Sequence, residues 1–337
     1  MEKVLSEVHL ELRCSEETTI TRFDFRSSSQ SSSCDEPSSS DPEEDLPRGR
    51  HVSKNIRLDN DGDIKLRRGK KKRRVARSLS ICHSMSTPLA SVGLQVWRGA
   101  LLFAEFVLQS QERFHGAVVL ELGGGTGLVG ALLAPCARHV FVTDIGEDIL
   151  KNCARNIEEN RHLSQGGVEH IQVRELDWRC PLERPVETSS ATFQWGADDL
   201  RRMKNLSYLV AADCVYDEPL TDTLFSCVKY LFRAYPSCRS LFVSLEKRVN
   251  FSLVDLQARA HAYDHFRTHF TAVEPSQHVP IDVPVALDHA APMKLLGRQI
   301  SCDTIGQAFD YDRTCDLELW EIFVDSTKES CAVVEAK

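Results

Sequence analysis

From residue 97 onward the chain alternates between two hydrophobic periods. Trp97, Leu101, Ala104 and Leu108 recur at the spacing that puts them on one face of a helix. The apolar run at residues 118–122 then reads as a short buried strand, ended by three glycines. Leu128, Val129, Leu132, Leu133 and Cys136 predict a helix, residues 140–143 a second strand, Ile149, Cys153 and Ile157 another helix, and residues 171–173 a third strand. Two more strand-like runs, at 208–212 and 241–245, flank a helix carrying Leu220, Leu224, Val228 and Leu231. Strand and helix in alternation predict an α/β fold with a mostly parallel sheet. Near the end Leu317, Leu319, Glu321 and Phe323 alternate with Trp320, Ile322 and Val324, a closing strand. A hairpin there would add an antiparallel edge.

Toward the N-terminus this pattern fades. Residues 26–50 are rich in serine and then in acids, with Pro37, Pro42 and Pro47. Such a stretch buries too little apolar surface to offset its ordering entropy and is expected to be disordered. Residues 3–13 hold a few apolar positions that suit a short strand or a partner-binding segment. The chain thus divides into an N-terminal extension, residues 1–85, largely disordered, a folded domain over residues 86–325, and a flexible tail at 326–337.

Composition changes this picture in three places. With 337 residues there is material for an ample core, and a net charge of −8 gives no extended basic face. Twelve cysteines contain no Cys-x-x-Cys pair, so no metal site is expected and the thiols are read as reduced. No export signal and no apolar run of spanning length is found, so no membrane association is expected. The exception to the charge balance is the run Lys65, Arg67, Arg68, Lys70, Lys71, Lys72, Arg73, Arg74 and Arg77. It reads as a signal for a nuclear import receptor or as a nucleic-acid contact, against a plain solvated stretch. No aromatic residue interleaves with it, so base stacking is not supported. The import reading places the chain in the nucleus, with a cytoplasmic pool.

The candidate chemistry begins at Glu121-Leu122-Gly123-Gly124-Gly125-Thr126-Gly127, where a buried strand runs into a glycine loop and then a helix. Such a loop lets a ligand approach backbone N–H groups with no side chain in the way. Asp144, closing the next strand, can accept both hydroxyls of a ribose. Together they point to a nucleoside cofactor without saying which. Residues 125–130 also satisfy Gly-x-Gly-x-x-Gly, so a nicotinamide dinucleotide stays open on this motif. Glu121 is the extra acid that suits an ammonium group and not a pyrophosphate.

Four segments in order carry a more specific signal: Gly93-Leu94-Gln95-Val96-Trp97, the glycine loop, Leu176-Asp177-Trp178 and Ala211-Ala212-Asp213-Cys214-Val215-Tyr216-Asp217. Over about residues 90–325 the chain resembles the family 16 protein methyltransferases, the seven-strand lysine methyltransferases. The resemblance implies a Rossmann-like domain with an antiparallel edge hairpin, S-adenosyl-L-methionine as cofactor, and a lysine side chain of a protein as substrate. It further implies that Glu121, Gly123, Gly125, Gly127 and Asp144 hold the cofactor and that Asp177 and Trp178 contact its adenine. Ala211 or Ala212 would lie beside it, and Trp97 would cover it. Asp213 and Tyr216 stand at the family's Asp-x-x-Tyr motif. Asp213 is expected to orient the target amine, whose ordinary pKa of ~10.4 requires loss of a proton before attack, while Tyr216 walls the channel. One departure is a long insertion at 179–204, whose Trp195, Asp198, Asp199, Arg201 and Arg202 either shape substrate choice or form a loop. The rival readings are an NAD(P)-dependent oxidoreductase, a methyltransferase of a small molecule or nucleic acid, and a non-catalytic cofactor-binding module.

Overall fold

The computed structural model describes residues 3–6, 18–25, 77–164, 170–180, 182, 192–252, 257–274 and 292–325. Among them the strands are β1 (Lys3–Leu5), β2 (Thr18–Phe25), β3 (Arg77–Ser84), β4 (Ser86–Pro88), β5 (Val118–Leu122), β6 (His139–Asp144), β7 (Ile171–Glu175), β8 (Leu206–Ala212), β9 (Ser240–Glu246), β10 (Asn250–Ser252), β11 (Gln257–Arg259), β12 (Thr271–Val273), β13 (Leu295–Ile300) and β14 (Leu317–Val324). The helices are α1 (Arg98–Gln109), α2 (Gln111–Phe114), α3 (Leu128–Leu133), α4 (Glu147–Glu159), α5 (Ala197–Met203), α6 (Glu218–Ala234) and α7 (His261–Phe266).

Eight strands form one sheet in the order β12-β13-β14-β9-β8-β5-β6-β7. The five from β9 to β7 run parallel, whereas β14 is antiparallel to both β9 and β13. The expected seven strands and their antiparallel edge are therefore present. The short strand β12, with no strong apolar period of its own, extends the edge by pairing parallel to β13. Strands β5 and β9 are buried at every position because helices cover both faces of the sheet. Along β5, Val119 joins one apolar cluster with α1, α3 and α4, while Val118, Leu120 and Leu122 join a second with α6. From β5 the chain winds out to β6 and β7 and then returns to β8 on the other side. That reversal opens a crevice at the carboxyl ends of β5 and β8, where open α/β sheets bind ligands.

Several elements differ from the sequence reading. Helix α3 stops at Leu133, and Cys136 lies in the turn that follows, its N–H on the Leu133 carbonyl. Strands β1, β2 and β3 fall in the stretch read as an N-terminal extension, and the boundary drawn at residue 86 falls between β3 and β4. Strands β2 and β3 pair antiparallel and send Phe23, Phe25, Leu79 and Ile81 into the core. Both phenylalanines meet the edge of Phe309, with ring centroids 5.7 and 6.1 Å away. Asn156 of α4 ties β3 in place: its side chain accepts from the Cys82 N–H at 2.8 Å and donates to the Cys82 carbonyl at 2.9 Å. Their alternating pattern is short and bordered by serine and charge, which hid it. The basic run lies outside the described residues except for Arg77, as do residues 26–50 and the tail.

Contrary to the expectation of no spanning run, Leu89–Gln109 is apolar and long enough to cross a membrane by length and composition. Its helical turns are interrupted at residues 95–97, and α1 packs its apolar face into the sheet's core. The insertion is partly described, and there its residues close the β7 edge. Trp195 donates to the Glu175 carbonyl at 2.8 Å and packs on Phe141. Buried Asp199 accepts from Arg174 at 2.7 Å, while Asp198 and Arg201 pair on the surface and Arg202 is exposed.

Candidate active site

The glycine loop is held open by backbone geometry. Gly124 donates its N–H to the Thr143 carbonyl at 2.8 Å, and Gly127 donates to Gly124 at 2.8 Å as the chain turns into α3. Gly125 sits at φ +51°, and a Cβ there would lie 2.9 Å from the Gly93 carbonyl oxygen. Gly127 sits at φ +78°, and its Cβ would lie 2.8 Å from the Cys153 sulfur. Both positions combine a left-handed backbone with a close neighbour, so only glycine fits without strain.

Two acids end the strands beside this loop. Asp144 accepts the Gly125 N–H on Oδ2 and the Ile145 N–H on Oδ1, each at 2.8 Å. Burial raises its pKa, and those two N–H groups oppose the rise. Glu121 is buried, and its Oε2 has no hydrogen-bond partner among the described residues. Desolvation, with a smaller push from the Asp144 charge, raises its pKa to about 8, against a lowering contact from the Gly130 N–H. A buried carboxyl with an unmatched oxygen is costly, and a cation placed there would relieve it.

On the β8 side of the crevice the wiring is different. Asp213 follows β8 at φ +56°, its own N–H bound to the Ser244 carbonyl at 2.7 Å. Its side chain is 1 % exposed. Oδ2 accepts the Gly99 N–H in the first turn of α1 at 2.9 Å, and Oδ1 accepts from Arg248 at 3.2 Å. The aspartate thus caps α1 from outside the helix, satisfying an N–H that has no partner within it. Arg248 in turn lies 4.8 Å above the Trp97 ring, whose Nε1 donates to the Val92 carbonyl at 3.0 Å. Tyr216 is 37 % exposed at the rim, and desolvation of its hydroxyl is the main reason its pKa is pushed up to about 12.

Around these residues lies a cavity of about 670 Å³. Trp97, Glu121, Gly123, Gly125, Asp144, Asp177, Trp178, Ala212, Asp213 and Tyr216 all line it, but Gly127 does not, since it faces Cys153 and Ile157. Ala212 rather than Ala211 reaches the cavity, because Ala211 points into the core under α6. Trp178 is half-buried, its ring 3.3 Å from where a Cβ at Gly123 would stand, whereas Asp177 is turned to Arg179 in a two-pronged pair at 2.6–3.1 Å. That guanidinium holds the Asp177 carboxyl below its usual pKa.

Sequence reasoning missed Arg248, Gly93 and Val4 as lining residues. Gly93 belonged to a recognised segment but had no assigned role. Val4 arrives on β1, which pairs with β4 and is fixed by Gln95, whose side-chain amide donates to the Val4 carbonyl at 3.0 Å and to Thr87 at 2.7 Å. Arg248 belongs to no motif, and only the position of Asp213 could have suggested a cation opposite it.

Known proteins bear on this arrangement. The family model described as lysine methyltransferase matches residues 76–258. Methyltransferase-like protein 22 of Homo sapiens is 37 % identical over 249 residues, which cover 73 % of this chain and 58 % of that protein. The Mus musculus protein of the same name is also 37 % identical over 249 residues, 73 % of this chain and 59 % of that protein. The protein-lysine methyltransferase METTL21E of Mus musculus is 32 % identical over 143 residues, 41 % of this chain and 51 % of that one. The chain thus spans 58–59 % of the length of the first two relatives. With its crevice, glycine loop and rim inside the matched segment or beside it, this chain belongs to the lysine methyltransferase family.

Proposed function

We propose that this chain transfers a methyl group from S-adenosyl-L-methionine to a lysine amine of a nuclear, nucleic-acid-associated protein. The observation that carries the reading is the unpartnered, buried Oε2 of Glu121 beside the glycine loop. An amino-acid ammonium in the cavity that Glu121 lines answers that carboxyl, whereas the pyrophosphate of a nicotinamide dinucleotide would meet it and be repelled once it ionises. Asp144 suits the ribose hydroxyls, since it lines the cavity and each of its oxygens, holding one N–H from the loop, keeps a lone pair for a further donor. Trp178 and Trp97 supply apolar faces for the base and for the mouth. The donor set therefore fits the cofactor.

The bound cofactor supplies an electrophilic methyl on a sulfonium. Held by Glu121, the glycine loop and Asp144, it would offer that carbon to the lone pair of a neutral amine, the sulfur keeping the bonding pair as it leaves and the amine's proton passing to water. Such a displacement asks the protein chiefly for position. Tyr216 and Trp97 wall the approach, and partial burial there favours the neutral amine. Asp213 acts in this scheme through α1 and Arg248, because its side chain is 1 % exposed and its two oxygens are turned to those donors. We read it as a positioning residue, whereas its motif suggests that it orients the amine.

Nuclear action rests on the basic run around residues 65–77. Label transfer from the cofactor in fractionated cell extract, read by mass spectrometry, tests both parts. Methyl-lysine in a nuclear protein, lost when Asp144→Ala is used, is the expected result. Binding of a nicotinamide dinucleotide with no uptake of S-adenosyl-L-methionine would overturn it.

A further inference from the structure

We propose that His265, His269 and Asp222 form a zinc-type divalent metal site that fastens α7 to α6. The three side chains bring one ligand atom each within 4.8 Å of one another. Asp222 Oδ1 lies 2.8 Å from His265 Nε2 and 3.2 Å from His269 Nε2. In a tetrahedral site with bonds of about 2.0–2.1 Å, neighbouring ligand atoms are roughly 3.3 Å apart. Both measured separations fall short of that value by half an ångström or less, so an ion enters by small outward rotations of the side chains, Asp222 being the exposed one.

The local structure prepares the ligands. His265 and His269 stand four residues apart across the end of α7, a spacing that turns two imidazoles to one side of a helical stretch. His269 is fixed flat on Phe225, ring centroids 4.3 Å apart and planes 5° off parallel. Among the described residues Asp222 Oδ1 forms its hydrogen bond with His265. His269 Nε2 is buried and, despite its 3.2 Å approach to that oxygen, is not aligned for a hydrogen bond. A plain ion pair leaves this nitrogen unsatisfied, whereas a metal uses it as a third ligand. Asp222 is 59 % exposed, so water has access to a fourth position.

Two histidines and one carboxylate suit zinc or cobalt, not calcium or magnesium, which prefer all-oxygen shells. The ion would join α6 to the segment leading into β12. Leu220 and Thr223, on either side of Asp222, line the cavity, so the ion would steady the same turn of α6 that borders the acceptor side. Cysteine spacing, which suggested no metal, is silent about this cluster; the His-x-x-x-His spacing was the available signal.

The test uses the full chain stripped by chelator and titrated with cobalt(II) and zinc(II), beside His265→Asn/His269→Asn and Asp222→Asn. All retain the exposed thiols Cys180 and Cys315 as a common background. The expected result is roughly one more equivalent bound by the unaltered chain than by the double variant, bound at least about tenfold more tightly. Cobalt should show the absorption of a four-coordinate site, and zinc should raise Tm in the unaltered chain alone. Equal uptake and an equal zinc effect in all three proteins would overturn the proposal. Should the histidine variant fold poorly, Asp222→Asn, altered at an exposed oxygen, carries the same comparison.

Discussion

The two sides of the crevice each place a buried acid at the end of a strand, yet they use it in opposite ways. On the β5 side Glu121 keeps an unmatched oxygen and a pKa raised to about 8. On the β8 side Asp213 has both oxygens committed, to the first turn of α1 and to Arg248. The first arrangement holds electrostatic stress that a ligand can relieve. The second spends its carboxylate on architecture, holding in place the arginine that lies over Trp97. An acid in a recognisable motif can thus serve chemistry only through the shape it maintains.

Asp213→Ala gives the largest expected effect. It removes the acceptor for the Gly99 N–H and the Asp213 contact of Arg248, whose side chain is 27 % exposed. That partial exposure puts the loss below the range for fully buried pairs, at about 2–3 kcal/mol. Chemical denaturation should show it, with turnover falling and cofactor affinity changing little. Arg248→Met should reproduce much of the turnover loss, because it frees Trp97 from the same clamp. Lost turnover with unchanged stability in Asp213→Ala would mean that the aspartate contacts the reacting amine after all.

Gly125→Ala strikes the other side. A left-handed backbone and a Cβ 2.9 Å from the Gly93 oxygen together cost on the order of 1–3 kcal/mol. Here the expected order reverses, with cofactor affinity falling first in calorimetry and turnover at saturating cofactor recovering in part. If affinity were unaffected, the loop would not be the cofactor's cradle.

This asymmetry explains what could be read from the chain and what could not. The glycine loop, Glu121 and Asp144 were legible because their signal is local, an apolar strand followed by glycines and then an acid at the end of the next strand. The parallel core was legible for the same reason, since β5, β8 and β9 each carry a mostly apolar run. Asp213 could be placed but not understood, because its partners lie 114 residues before it and 35 after. The missing oxygen partner of Glu121 is likewise a fact of packing, which no spacing records. Strands β2 and β3 were overlooked because 51 residues of a different composition separate them, so that Phe23 and Leu79 join one core only in three dimensions.

Glu121→Gln sharpens the contrast through pH. A carboxyl whose folded pKa is about 8, against an ordinary value of 4.5, binds a proton more tightly in the folded chain. Its contribution to stability is complete below about pH 4.5 and is lost as pH rises through about 8, at up to about 1.4 kcal/mol per pH unit. The unaltered chain should therefore lose Tm between pH 6 and 8, relative to the glutamine variant, which mimics the protonated form. Cofactor binding near pH 7 should release a proton from Glu121, seen as a calorimetric heat that varies with the buffer. Parallel pH profiles for the two proteins would show that Glu121 ionises normally and carries no such stress.

Arg179→Ala should do least. The Arg179 and Asp177 pair is exposed, and its two-pronged geometry shifts both pKa values through direct contact without any burial to magnify the energy. Tm should stay within error of the unaltered chain at ordinary salt. Cofactor affinity is the more informative reading, because Asp177 lines the cavity while facing away toward the arginine. Freed of that partner, the carboxylate can turn to an adenine amino group, so affinity should hold or rise slightly, and its dependence on salt should weaken. A marked loss of affinity would instead make Arg179 itself a contact. The pair would then be a third kind of acid at this crevice, one whose partner rather than its own oxygens meets the ligand.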